Sequence, residues 1–539
     1  MAKPKTPNQK RKYGELNKRL AKYVMLVESI YEDLNLEAAK IVGITDFTID
    51  SDRPFMWSDY PQTRKRIRDL QERFVEDIGA VIYSGTSEEW KNSNEVQDLL
   101  ANKVLQTYGA TIGKEKYEIL YQPNNDALKA FQQRKDKGFT ISDKLWNQST
   151  LYKQELEEAI SCAIQKGTSA ITLSKQISKY LLDFPQLQKD YKERFGKASR
   201  AMDCEYRSIR LAASEINMAY RQAENLRWQQ MDFVVGYEIK LSNNHTCNGN
   251  PFQDICDILA GKYPKDFQWT GWHPLCRCYK IPILKTEEEF WEWDGRSEAT
   301  TASVNEVKDV PDAFKKWVLD NQERISTAKK RNTLPYFLRD NKSVYQKITV
   351  ESSISEIVKR ASSVGDEVQS IAERIAIKNG GYVTPINFKS TTSITRKVIT
   401  EGITPYDIKD AVRTTIIVPK SRIEDVLEEM YKTEGFLRLK RQKPESFMGY
   451  SGNIVNIRTT NGLTAEIQVN TERMIFAKER PEDAKRILGK KRWEEIHNET
   501  GMEGGLGHKY YEQWRILDKS SNEALKIVEK SIEYYSHFR

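Results

Sequence analysis

The stretch IVNIRTTNGLTAEIQVNT, residues 454–471, decides the class of the C-terminal third of the chain. Its two halves, 454–458 and 463–469, are rich in β-branched residues and flank Asn461-Gly462, the pair that most readily adopts the positive φ of a hairpin turn. Side chains alternate between the faces of a strand, so Leu463, Ala465, Ile467 and Val469 share the core side, and Thr464, Glu466, Gln468 and Asn470 the other. Glu466 is thereby displayed from a rigid element. Upstream, the β-branched run 414–418 predicts a strand, and Ser421 with Glu424 has the spacing of a capping box opening a helix with Ile423, Val426, Leu427 and Met430 on one side. Earlier still, Ile354, Ile357, Val358, Ala361, Val364, Val368, Ile371 and Ile375 predict one amphipathic helix that stops at Gly380-Gly381. Helix, strand, helix and hairpin make this an α/β module with antiparallel pairing, beginning near residue 350.

The preceding sequence has a different period. Leu16, Leu20, Val24, Val27, Tyr31 and Leu34 recur at three and four, as do residues in 151–164 and the stripe Tyr206, Ile209, Ala213, Ile216, Tyr220 and Ala223, so this half reads as mostly α. Val235, Tyr237, Ile239 and Leu241 alternate with polar residues or glycine and predict one strand. Residues 296–314 are rich in Ser, Thr and charge and read as a linker, followed by a short helix over 314–328. The expected architecture is multidomain, a mostly α N-terminal module followed by a mixed-sheet α/β domain. Its segments are a mobile basic arm (1–20), a helical module (21–290), a connection (291–349) and the α/β domain (350–539).

Composition sets limits. A chain of 539 residues exceeds what one core organises. A mean hydropathy of −0.68, with no run near the roughly 20 apolar residues of a membrane span, argues against a membrane-embedded protein. No apolar core of a signal peptide follows the N-terminal basic residues. The net charge of +8 is small against 85 basic and 77 acidic residues and does not by itself argue for nucleic-acid binding. Seven basic side chains and one acid in the first twenty residues leave DNA contact by that arm as an expectation.

Two constellations carry chemistry. In the α/β module the carboxylates Asp410 and Glu466 are surrounded by Lys389, Arg396 and Lys397, by Arg413, and by Arg438, Lys440, Arg441 and Lys443. Oxygen ligands for Mg²⁺, with nucleotide phosphates clamped by Lys and Arg, fit this set; so does an ordinary salt-bridged surface. The order Lys389-x3-Ser393-x3-Lys397, Asp410-x2-Arg413, Gly449-Tyr450-Ser451-Gly452 and Glu466-Ile-Gln468-Val-Asn470-Thr471 resembles the nucleotidyltransferase-like domain of the RelA/SpoT family. The resemblance implies transfer of pyrophosphate from ATP to a 3′ hydroxyl of a purine nucleotide or tRNA. Asp410 and Glu466 would be the Mg²⁺-binding and catalytic carboxylates, and Tyr450 would stack on the acceptor purine. Lys389, Ser393, Arg396, Lys397, Arg413, Lys440, Arg441, Lys443, Gln468 and Asn470 would bind nucleotide. Asn387 and Asn470 stand where that family usually has Arg. His508 and Tyr510 resemble its His-x-x-Tyr element, and a Gly-rich loop before a helix explains them nearly as well.

The second constellation lies in residues 241–284. Cys256, His273, Cys276 and Cys278 are the ligand set of a structural zinc site, although Cys-x-Cys departs from the usual knuckle spacing; reduced structural cysteines explain them equally well. Cys247 is a weaker candidate. The run His273-Pro-x-Cys276-Arg277-Cys278, with Asp254-Ile-Cys256-Asp257 and the helix motif Arg210-x4-Glu215-Ile-Asn-x-Ala219-Tyr220-Arg221, resembles the Mu F-like head-morphogenesis domain of phage minor head proteins. That resemblance implies a virion component near the portal and other head proteins, with host cytoplasm as the site of assembly or delivery. Fusion to a C-terminal enzyme resembles the polymorphic toxins carried on capsid proteins. A second expectation is a purely structural head protein whose C-terminal domain binds nucleotide without turnover.

Overall fold

The computed structural model describes all residues except 1–3, 5, 44–52, 164–169, 243–245, 248–249, 252, 292–302 and 444–447. Part of the expected linker therefore lies outside the described residues, and so does the side chain of Cys247. The chain is mostly helical with mixed sheets and divides into two compact units, Met1–Tyr345 and Gln346–Arg539.

In the first unit, helices α1 (Gln9–Gly43), α2 (Arg64–Tyr108), α3 (Ile141–Ala163) and α4 (Cys204–Gln230) bury their apolar stripes against one another. The basic arm expected to be mobile is largely helical: α1 starts at Gln9, and Tyr13, Leu16 and Leu20 pack on Ile216 and Tyr220. Polar anchors reinforce this, Arg19 reaching the buried Glu89 at 2.6 and 2.7 Å and Tyr13 donating to Glu224 at 2.6 Å. Basic residues thus sit on a helix whose other face is spent on the core. Tyr206, placed by its spacing in the α4 stripe, is exposed. A three-stranded antiparallel sheet follows, with β1 (Val234–Lys240) between β2 (Gly261–Tyr263) and β3 (Tyr279–Leu284). The helix expected over 314–328 is two, Asp312–Asp320 and Gln322–Lys330.

In the second unit the helix expected to run unbroken to Gly380 is also two, α5 (Lys342–Ser363) and α6 (Gly365–Lys378). The backbone leaves the helical region at Val364 (φ −115, ψ 8), just before Gly365. A Cβ on Gly365 would lie 2.7 Å from the tip of the Phe388 ring, which seats close against the backbone there. The sheet contains β4 (Tyr382–Val383), β5 (Asn387–Phe388), β6 (Val412–Ile417), β7 (Phe436–Gln442), β8 (Gly452–Arg458) and β9 (Thr464–Asn470), in the order β4-β6-β9-β8-β7 with β5 also on β6. Among the described strands only β6 and β9 pair in parallel. The hairpin β8–β9 forms as its sequence predicts, with Gly462 at φ +79, but through a loop of residues 459–463 rather than a two-residue turn. Val412, Ile416, Ala465, Ile467, Val469, Val455 and Ile457 form the core with α5, α6 and the helix α7 (Ile423–Tyr431). The expected capping box is absent: a 3₁₀ turn, Lys420–Arg422, precedes α7, and Glu424 pairs with Arg441 instead.

Candidate active site

The sheet face opposite this core carries the polar residues. Cross-strand partners share a face, so Asn387, Arg413, Glu466, Asn456 and Arg438 form one row across β5, β6, β9, β8 and β7. Thr415, Gln468, Ile454 and Lys440 form the next row. A carboxylate therefore stands between two arginine-bearing strands, with Arg438 Nε donating to Asn456 Oδ1 at 3.0 Å.

Glu466 is oriented by a short relay. Gln468 Nε2 donates to Glu466 Oε1 at 2.7 Å, and Gln468 Oε1 accepts from Lys478 Nζ at 2.7 Å, which fixes the amide's orientation. Lys478 lies on the helix Glu472–Lys478, opened by the Thr471 side chain accepting from Met474 N at 3.3 Å. Burial works against its charge, but Tyr450 and Glu479 outweigh that and raise its pKa, so it stays protonated. Burial likewise opposes ionisation of Glu479, and Lys478, Arg413 and His508 hold its carboxyl below the usual value.

Tyr450 projects from a turn that is itself pinned. Met448 (φ +57) and Gly449 (φ +76) are both left-handed, a strained conformation for methionine. Ser531 Oγ donates to Met448 O at 2.8 Å, and Arg539 donates to Gly449 O at 2.8 Å. Asn470 Nδ2 donates to the Tyr450 oxygen at 2.9 Å. This approach needs Gly452, where a Cβ would fall 2.4 Å from the Tyr450 oxygen. A cavity of about 370 Å³ opens here, lined by Arg413, Tyr450, Ile454, Gln468, Lys478, Glu479, His508, Tyr511 and Tyr535. A larger cavity, about 710 Å³, opens at the C-terminal ends of β6 and β9; Asp410 and Glu466 line neither cavity, but Tyr450, Arg413 and Gln468 line the smaller and not the larger, where Tyr382 and Arg492 close on Glu472. The smaller one adjoins the polar row and is the candidate site.

Asp410 lies just before β6, in a corner with Lys389 after β5 and Lys397 on the helix Thr391–Glu401. Lys389 Nζ reaches Asp410 Oδ2 at 2.5 Å and Lys397 Nζ reaches Oδ1 at 3.1 Å. Burial raises the carboxyl's pKa, but the two ammonium groups outweigh it and hold the acid below its usual value. Ser393 lies one turn before Lys397, its N–H bonded to the N-cap Ser390 at 3.2 Å, and Arg396 is exposed on the same helix. Carboxylate oxygens are the hard donors that Mg²⁺ takes, and in this structure those of Asp410 are held by Lys389 and Lys397 and one of Glu466 by Gln468. For Asp410 to bind Mg²⁺, its two lysines would turn to phosphate oxygens.

The structure divides the expected basic cluster 438–443. Arg438 and Lys440 share the Glu466 face, whereas Arg441 is paired with Asn453 on the core side and makes a two-pronged bond to Glu424 at 2.5 and 2.7 Å. Arg441 is therefore removed from the site, and Lys443 lies one residue past β7. Asn470, expected among the nucleotide ligands, is buried and serves to hold Tyr450. Tyr510 packs edge-on to Tyr534, while its neighbours His508 and Tyr511 line the cavity. Lys478, Glu479, Asn456 and Tyr535 are site residues that the motifs did not mark. Only Lys478 had a signal, falling one helical turn after Met474 behind the Thr471 cap.

Fold and site together define a mixed-sheet domain that sets a strand carboxylate among cations, beside a cavity with an aromatic wall, a layout suited to nucleotide phosphates and a base. No family model matches the chain. The chain is similar to the (p)ppApp synthetase toxin Tas1 of Pseudomonas aeruginosa (strain UCBPP-PA14), 35% identical over 181 residues. The match covers 33% of this chain and 41% of that protein, so the chain spans about two fifths of the relative's length. A solved structure, the complex between the Type VI effector Tas1 and its immunity protein, aligns at 35% identity over 35% of this chain and 97% of that one, with a TM-score of 0.33.

Proposed function

We propose that the C-terminal unit is an ATP-dependent pyrophosphokinase with a RelA/SpoT-like, nucleotidyltransferase-type fold, acting as a toxin. It transfers pyrophosphate to the ribose 3′ hydroxyl of a purine nucleotide or RNA end, with adenine nucleotides foremost. The observation that carries this reading is Glu466, held by Gln468 and Lys478 in the row between Arg413 and Asn456 and beside the Tyr450 cavity. The 35% identity to a (p)ppApp synthetase toxin supports it and favours an adenosine acceptor.

In this reading the acceptor purine stacks on Tyr450, which Asn470 and the pinned turn hold in place. Its 3′ oxygen attacks the β-phosphorus of ATP, the bond from that phosphorus to the α–β bridging oxygen breaks, and AMP leaves. Glu466 takes the hydroxyl proton. Arg413, Arg438 and Lys440 on the sheet, with Lys389, Ser393, Arg396 and Lys397 beside Asp410, hold phosphate oxygens and offset charge on the transferred group. Asp410 and Glu466 would hold Mg²⁺, which when bound neutralises triphosphate charge.

The test incubates the full chain with Mg²⁺ and ATP plus AMP, ADP, ATP, GDP, GTP or deacylated tRNA. Mass spectrometry should find AMP and an acceptor heavier by one pyrophosphate group. Bound ATP with no transfer to any acceptor would reduce the unit to a nucleotide-binding module.

For Met1–Tyr345 a phage minor head protein remains the reading, located in the virion near the portal. It is favoured by the α4 motif itself, whose Asn217 and Arg221 clasp the backbone of the Cys/His loop at 2.7 to 2.9 Å. Particles from induced host cells that lack this chain would refute it.

A further inference from the structure

The Cys/His loop of the first unit lies outside the chemistry assigned above. We propose that Cys256, Cys276, Cys278 and His273 bind one zinc ion through three thiolates and the histidine Nε2.

Three elements build the arrangement. The short helix Ile255–Leu259 is opened by a reciprocal capping box between Asp254 and Asp257, which fixes the backbone at Cys256. The loop 271–278 bends through left-handed residues at Gly271 (φ +130) and Leu275 (φ +62) and returns Cys276 and Cys278 to it. From α4, Asn217 donates to Cys276 O at 2.9 Å, and Arg221 donates to Cys276 O and Cys278 O, both at 2.7 Å. A further bond from Arg221 holds Thr270 O at 3.0 Å.

The three sulfurs cluster as zinc thiolates do, whereas His273 Nε2 groups with Cys256 and Asp254, and its ring would swing toward Cys276 and Cys278 to complete the four. The three sulfurs are free thiols, buried, and all within 4.8 Å of one another. Cys256 and Cys276 Sγ are 3.9 Å apart, and two sulfurs about 2.3 Å from one tetrahedral zinc stand about 3.8 Å apart. His273 Nε2 lies 3.1 Å from Cys256 Sγ. Its other nitrogen, Nδ1, is 2.7 Å from Pro274 O, a bond that only an Nδ1–H can make. The lone pair is thereby left on Nε2, the orienting bond that metal-ligating imidazoles use. Asp254 Oδ2, 3.3 Å from Nε2, stands outside the four as a neighbour of the histidine.

Charge supplies an independent reason. Arg221 is buried, and its hydrogen bonds among the described residues all end on backbone carbonyls. The guanidinium also stacks on Trp269 at 4.4 Å. A buried guanidinium with no carboxylate partner is costly. Zinc with three thiolates and a neutral imidazole carries one net negative charge, set directly against that cation. Three neutral thiols would leave it uncompensated.

The experiment measures metal in the full chain purified under reducing conditions, then replaces zinc by cobalt(II) and records its spectrum. About one zinc per chain is expected, with tetrahedral cobalt bands and strong thiolate charge-transfer absorption. Cys276→Ser and Cys278→Ser should each remove about a third of that absorption, His273→Asn should alter the d–d bands, and Asp254→Asn should leave the spectrum intact. Folded, reduced wild-type chain that takes up less than about 0.2 equivalents of either metal overturns the site. So does a cobalt spectrum without thiolate bands, and both readings hold even where a cysteine variant fails to fold.

Discussion

Replacing Gln468 by Leu removes the relay that orients the proposed base while leaving the backbone ladder of β8 and β9 in place. Two bonds are lost, each to an ionised partner, at 2.7 Å to Glu466 and 2.7 Å to Lys478. Hydrogen bonds to charged groups contribute about 1.5–3 kcal/mol each. Lys478 keeps Glu479 at 3.1 Å, so the buried ammonium is not left alone and the folding cost should stay near the lower figure. Glu466 fares worse: with its oxygen released, the carboxylate samples other staggered rotamers, few of which face the acceptor oxygen. A loss of about 1.4–2.8 kcal/mol in transition-state positioning corresponds to a fall in kcat of about 10- to 100-fold. Because Gln468 is not placed on the triphosphate, the KM for ATP should change less than about threefold. Steady-state kinetics with the preferred acceptor, read beside a thermal melt, separate the two effects. A folded Gln468→Leu protein with kcat within about twofold of wild type would refute the relay.

The face assignment of β7 predicts a contrast between neighbours: Lys440→Ala should raise the KM for ATP about tenfold, whereas Arg441→Ala, which loses only an exposed pair with Glu424, should leave it within about twofold. Equal effects would mean the strand is not faced as described. Burial pushes the Glu155 carboxyl up to about 8 in the first unit, so the folded chain holds a proton there that the unfolded chain releases near pH 4.3. The stability this confers is fully present at low pH and is lost as pH rises through about 8. Thermal melts from pH 6 to 9 should therefore decline less steeply for Glu155→Gln, and an unchanged slope would contradict this.

The hairpin was legible because its two signals, alternation and Asn-Gly, are local. Its alternation also placed Glu466 on the polar face. What surrounds Glu466 was legible only where a strand had been recognised. Residues 436–442 are exposed or half-buried throughout, with no two-residue alternation of burial, so Arg438 to Lys443 read as one cluster until the register split them. Contacts from distant residues have no local sign, as where the Phe388 ring lies against Gly365. The same holds for Ser531, Tyr535 and Arg539, which pin and wall the Tyr450 turn from far along the chain. The basic arm failed for a different reason: charge count outweighed Tyr13, Leu16 and Leu20, whose spacing already marked a buried face.

The central claim is that Glu466 drives pyrophosphate transfer from the sheet face. Full-length wild type and Glu466→Gln, a change that keeps shape and removes charge, should be compared in a single-turnover assay with ATP labelled in its γ-phosphate and the acceptor that wild type prefers. Label should appear in the acceptor with wild type, and the rate should be at least about 1,000-fold lower for Glu466→Gln, about 4 kcal/mol, with ATP binding retained. Transfer by Glu466→Gln within about tenfold of wild type would contradict that claim.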